Sequence, residues 1–177
     1  MQLPESCNWA FKEWAVICEA LAAGRQSLLL RKGGIHEGPQ GFQAEHEHFW
    51  LYPTGFHQAA ENVVPSAADL LARAEGMSPQ SPVIPISLLA QVTEVRFLKT
   101  LADVLALEGE HIWSVPQVEK KFFYRTPGLY LLRLKLFKRS EPWSVPEHPS
   151  YAGCKTWVPL ESPLSTAGLT SVVVEQA

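Results

Sequence analysis

The clearest periodic stretch of the chain covers residues 129–138. Tyr130, Leu132, Leu134 and Leu136 alternate there with Arg133, Lys135 and Phe137, and Arg139 continues the second set. A period of two puts the two sets on opposite faces of a strand. Shorter apolar runs at 28–30, 45–52, 86–97 and 155–160 predict further strands. The run at 45–52 is rich in aromatics and expected to stop at Pro53. Residues 9–23 are ambiguous, because Ala and Leu favour a helix. The run at 28–30, bounded by Gly24 and by Gly33-Gly34, tips the reading to two strands with a turn near Gly24. Residues 36–42 hold Gly38, Pro39 and Gly41 and read as a loop, and Pro142, Pro146 and Pro149 mark another irregular stretch.

Three segments carry helix-start chemistry. Ser66, Thr100 and Ser114 each precede an apolar run, with Asp69, Asp103 and Gln117 three residues on. In each, a hydroxyl can take an orphan N–H while the acid or amide reaches back. Gly76 and Gly109 stand past the ends of the first two, and Pro116 is tolerated in the first turn of the third. Strands and helices do not alternate regularly, which excludes a doubly wound fold. The expected class is α+β: a mainly antiparallel curled sheet, at the limit a small barrel, with about three short helices. One domain is expected over residues 9–160. Residues 161–177 are expected to fray as a tail, with Val172 to Val174 able to dock as an edge strand.

Composition narrows this picture. With 177 residues and 46% hydrophobic side chains, a substantial core is expected and wholesale disorder is excluded. No apolar run approaches the ~18 residues of a membrane helix. The first 14 residues carry Glu5, Lys12 and Glu13 and no apolar core of a signal peptide. Cys7, Cys18 and Cys154 are an odd number with no C-x-x-C spacing, which fits free thiols in the cytoplasm. A catalytic Cys154 is conceivable, but a partly buried thiol is the plainer reading.

Several motifs together resemble a known family. They are Phe11-Lys12-Glu13-Trp14-Ala15-Val16, Leu28-Leu29-Leu30-Arg31-Lys32-Gly33-Gly34-Ile35, and Phe49-Trp50-Leu51-Tyr52-Pro53-Thr54 followed by His57-Gln58. Then come His111-Ile112-Trp113 and Tyr151-Ala152-Gly153-Cys154-Lys155-Thr156-Trp157. This pattern, spread over residues 11–160, is similar to the bacterial family known as domain of unknown function 1802. The resemblance implies no established activity. Some members are joined to a restriction-endonuclease-like domain, which implies a mild leaning toward nucleic acid.

Charge placement supplies the strongest candidate site. Residues 120–139 hold seven basic side chains and no acid, whereas the other 157 residues hold eight basic against 18 acidic. The strand face of Arg133, Lys135, Phe137 and Arg139 joins cations to an aromatic, which suits phosphate contact with base stacking. The plainer reading is a solvated face paired with the acidic remainder. Arg31-Lys32-Gly33-Gly34 could admit a phosphate to backbone N–H groups, although P-loop spacing is missing. The plainer reading there is a strand end with a glycine turn.

Metal chemistry is the alternative. His46 and His48 point the same way on a strand, and His57 could be a third ligand, with Glu37 and Glu45 near them in the sequence. Such a group would serve a metal-dependent hydrolase or nuclease; polar residues on a wet strand face are the plainer reading. Asp103 with Glu119-Lys120-Lys121 has tolerable nuclease spacing, but both fall at predicted helix starts. The six tryptophans are read as core or core-edge. Three functions therefore stand: a cytoplasmic nucleic-acid-binding module, a metal-dependent hydrolase, or a partner-binding scaffold with no chemistry.

Overall fold

The computed structural model describes residues 3–33, 35–38, 41–55, 59–75, 82–153 and 155–174, with the side chains of 35–38 and 41–43 left aside. Strand β1, Ser6–Trp14, runs directly into helix α1, Ala15–Ala22. This corrects the reading of residues 9–23 as a strand: the extended part stops at Trp14, whereas the second expected strand, at 28–30, is present. Ala15, Val16, Ile17, Cys18, Ala20 and Leu21 are all buried, so α1 is apolar nearly all round and lies inside the core. Such a segment has no periodicity by which to tell it from a strand. Its end is a Schellman motif. Gly24 sits at φ 73°, the Arg25 N–H donates to Ala20 O at 2.9 Å, and the Gly24 N–H donates to Leu21 O at 3.2 Å.

After β2, Leu28–Arg31, the expected loop is instead a hairpin of β3, Ile35–Gly38, and β4, Gly41–Ala44. Strand β5, His48–Thr54, continues through Pro53, which pairs in register with Glu13 of β1. Helix α2, Ala68–Glu75, grows out of a 3₁₀ turn at Pro65–Ala67, so Ser66 lies inside that turn and not at its N-cap. The long strand β6, Val83–Leu98, follows. Helices α3, Leu101–Leu105, and α4, Val115–Phe123, start as predicted. Thr100 closes a capping box with Asp103, and the Ser114 hydroxyl accepts the Gln117 N–H. Asp103 is thereby occupied as a cap.

Strand β7 extends over Leu129–Pro146, well past the expected 138 and through the proline-marked stretch. Ile86 pairs with Trp143 and Leu88 with Lys138, so residues 139–142 bulge out of the ladder and take Pro142 with them. The last strands are β8, Trp157–Ser165, and β9, Thr170–Ser171. The chain beyond Glu161 therefore contributes to the sheet, where fraying was expected.

Among the described residues, seven strands form one open sheet in the order β2-β7-β6-β5-β1-β8, with β9 also pairing β7. Only the β1–β5 pair is parallel. The sheet is mixed, curled and unclosed, so the fold is α+β without a barrel. One face carries the main core, where Phe11, Phe49, Leu51, Leu88, Leu132 and Leu134 meet α1, α2 and α4. The other holds a smaller core of Cys7, Ala10, Trp50, Ile86, Leu89, Tyr151 and Val158. Phe49 and Leu51 on one side, against Trp50 and Tyr52 on the other, show the period of two in a strand buried on both faces.

Candidate nucleic-acid interface

The structure divides the predicted basic residues into two groups. Arg133 and Lys135 lie mid-strand in β7, opposite Glu94 and Gln91 of β6. The Arg133 guanidinium is spent on acids, donating to Glu110 at 2.7 Å and approaching Glu94 at 3.7 Å. That hydrogen-bonded pair pulls the Glu110 carboxyl below, and pushes the Arg133 guanidinium above, their usual ranges. Lys135 is exposed. Phe137 is half-buried against the smaller core, and Arg139 donates to Glu141 O and Ala167 O while lying 4.2 Å above the Trp143 ring. The strand face is thus partly self-neutralised, and its aromatic is turned toward packing.

Arg31 and Lys32 stand elsewhere. Arg31 pairs with Tyr130, three positions along β7 from Arg133, which faces Leu28. The Arg31 Nη1 donates to the buried Glu13 carboxylate at 3.0 Å, and the guanidinium lies 4.6 Å over the Phe11 ring. Glu13 also accepts the Trp14 N–H at 2.8 Å, so both carboxylate oxygens are engaged. The Lys32 Nζ donates to Phe122 O at 2.7 Å and to Thr126 O. It therefore places a cation on the last turn of α4, where the helix dipole favours it. A Cβ on Gly33 would meet nothing within 4 Å, so sterics do not require glycine there; Gly34 lies outside the described residues.

Arg31 and Lys32 line an open cleft of about 650 Å³. Lys121 of α4 and the turn Tyr124, Arg125, Thr126, Pro127 and Gly128 line it too. Phe97 and Tyr130, with ring centroids 4.8 Å apart, line it as well. Four cations converge, and among the described residues no carboxylate lines the cleft. Lys121 and Arg125 count in the basic segment of the sequence, but neither is assigned there to a phosphate-contacting surface. The missing information was the crossover that sets β2 beside the end of α4. Lys121 is half-buried, with its ammonium 4.1 Å over the Trp113 ring. Burial lowers it to about 8; Glu13 opposes this and Arg31 adds to it. Arg125 is exposed at φ 61°, a left-handed conformation uncommon for a residue with a Cβ. Among the described residues, neither Lys121 nor Arg125 has a carboxylate within ion-pair distance.

A second cavity of about 340 Å³ lies among α3, α4 and the 3₁₀ turn that precedes α2, and is mainly apolar, with Val104, Ile112, Trp113 and Val118 in its wall. Its arginine, Arg25, is held by Asp69 at 2.7 Å.

Of the three histidines of the metal hypothesis, His46 packs with aromatics. His46 stacks on Trp9 at 3.8 Å and meets Trp157 edge-on, and burial lowers its basicity. The His48 Nε2 lies 3.9 Å from Glu47, and His57 lies outside the described residues. Among the described residues no three His, Cys, Asp or Glu side chains converge as a metal site would require. Cys7 and Cys18 are buried thiols pushed up by desolvation, and Cys154 falls outside the described residues. Among the described residues no helix is long and apolar enough to cross a membrane.

Comparison with solved structures places the fold. The crystal structure of ASCH from Zymomonas mobilis superposes with a TM-score of 0.51 at 10% identity, covering 86% of this chain and 87% of that one. A Tyr-to-Phe variant of the same Zymomonas mobilis protein gives 0.49 at 9% identity, over 86% and 89% of the two chains. At such identity the likeness concerns the fold alone. Comparison with curated proteins finds no match. The sequence profile described as Domain of unknown function (DUF1802) matches residues 10–177, nearly the whole length, and the chain belongs to that family.

Proposed function

We propose that the protein is a nucleic-acid-binding module of the cytoplasm, with the cleft between Arg31-Lys32 and Lys121–Arg125 as its phosphate-contacting surface. The observation that carries this reading is the convergence of four cations in a cleft with no carboxylate among its described lining residues, in a chain whose net charge is −3. Solubility does not demand such a concentration, and a polyanion would be drawn to it. Two of the cations are committed to holding the cleft together. Lys121 and Arg125 carry the charge offered to a ligand, and the exposed Lys135 extends the basic surface.

The test is a salt titration of single- and double-stranded oligonucleotides with the wild type and with Lys121→Gln, Arg125→Ala and Arg133→Ala. Removing Lys121 or Arg125 is expected to shallow the slope of log K against log salt by roughly 0.7–0.9 each. Arg133→Ala is expected to leave the slope nearly unchanged, because Glu110 and Glu94 already neutralise it. Absence of binding at ~50 mM salt, or equal slopes for all four proteins, would overturn the reading in favour of a partner-binding scaffold.

A further inference from the structure

Phe123 and Tyr124, consecutive at the end of α4, are 58% and 55% exposed. Two adjacent aromatic rings in water forfeit the burial that ordinarily stabilises such side chains. Their exposure is not that of a loose helix end. The Gly128 N–H donates to Phe122 O at 3.2 Å, and the Lys32 ammonium holds the same carbonyl. Arg125, next in the chain, is kept at φ 61° with its guanidinium 5.2 Å from the Tyr124 ring centroid. Backbone strain of this kind persists only where surrounding structure imposes it. The turn therefore presents an aromatic face beside two cations that, among the described residues, have no carboxylate partner, at the lip of a cleft whose size falls in the range of small-ligand sites.

We infer that this cleft takes an unpaired nucleotide of a single strand, with the base laid on Tyr124 and the adjoining phosphate between Lys121 and Arg125. The inference rests on the nucleic-acid reading above and adds the class of substrate. A base has two open π-faces only when it is unstacked, as in single strands, loops and ends. Within a duplex those faces are covered and the aromatic lip would meet only backbone. A lip fixed before binding loses little entropy when a base settles on it, so its exposure is useful to the bound state.

Fluorescence anisotropy at constant salt tests this with a single-stranded oligonucleotide, its abasic counterpart with the same phosphates, the matching duplex, and free nucleoside monophosphate as competitor. The wild type is expected to prefer the single strand and to bind the abasic strand at least about fivefold more weakly. Tyr124→Ala is expected to bind the normal and abasic strands alike, whereas Tyr124→Phe, which retains the ring, keeps the discrimination. Thermal melts of both variants establish that they fold. Wild-type binding that is equal for normal and abasic strands, or for single strand and duplex, would overturn the unpaired-base inference and leave the polyanion reading standing. Tight binding of free nucleotide with no gain from the strand would likewise overturn it, as a mononucleotide site. Failure to bind any of these ligands would remove both readings.

Discussion

At the scale of single residues, the site is organised by which charges are already satisfied. Glu13 is 2% exposed and is the acid that answers Arg31. Removing one partner of a buried ion pair leaves the other uncompensated, which typically costs about 3–5 kcal/mol. Glu13→Gln is therefore expected to lower the urea midpoint markedly, with the slope of the transition unchanged. Lys121 supplies a pH dependence with two opposite signs. Its ordinary value is 10.5 and burial brings it to about 8. Between these values the unfolded chain binds more proton than the folded one, so this group makes stability rise with pH across that window. Below about 8 the charge is present in both states and the desolvation cost is fully felt. Ligand binding runs the other way, because the cleft loses a cation as pH rises through 8. Oligonucleotide affinity measured from pH 7 to 9.5 is expected to fall in the wild type and to stay flatter in Lys121→Gln.

At the scale of elements, the turn after α4 depends on a close approach. Gly128 sits at φ 121°, and a Cβ there would come within 2.3 Å of the Phe97 ring. Gly128→Ala must displace that ring or the turn, and both line the cleft. A loss of roughly 1–3 kcal/mol is expected from backbone strain alone, read by chemical denaturation. Binding should weaken beyond what the stability change explains.

The elements also show what the sequence makes legible. The starts of α3 and α4 were readable because Thr100 and Ser114 act locally, through their own side chains and neighbouring backbone. Strand β7 was readable because Leu132, Leu134 and Leu136 alternate with polar residues. Helix α1 was not, since being buried on every side erases its periodicity. Pro53 and Pro142 misled for a different reason. The first sits in register opposite Glu13, and the second falls in a bulge outside the ladder, so neither breaks its strand. Half of the cleft was legible, as Arg31 and Lys32, and the basic segment that supplies the rest was visible as a charge anomaly. Its convergence with β2 was not, because it depends on pairing between Arg31 and Tyr130, nearly a hundred residues apart.

At the scale of the whole molecule, the sheet is completed by the last part of the chain. Strand β8 covers the outer side of β1, and β9 takes the edge of β7 at Phe137 and Lys138, beyond the stretch that β2 occupies. A chain ending at Gly153 lacks both strands and leaves two rows of unpaired backbone N–H and C=O groups. Such edges recruit other strands. The shortened protein is expected to self-associate, seen as a larger and concentration-dependent mass by light scattering, whereas the full chain should keep a constant mass. A protein synthesised from its N-terminus passes through this open-edged state on every ribosome. Cys7 of β1 must wait for Leu164 of β8, more than 150 residues later, before its register partner exists. Until β8 is made the nascent chain is thus exposed to pairing with its neighbours on the same message, and shielding by a chaperone is most valuable just before residue 157 emerges.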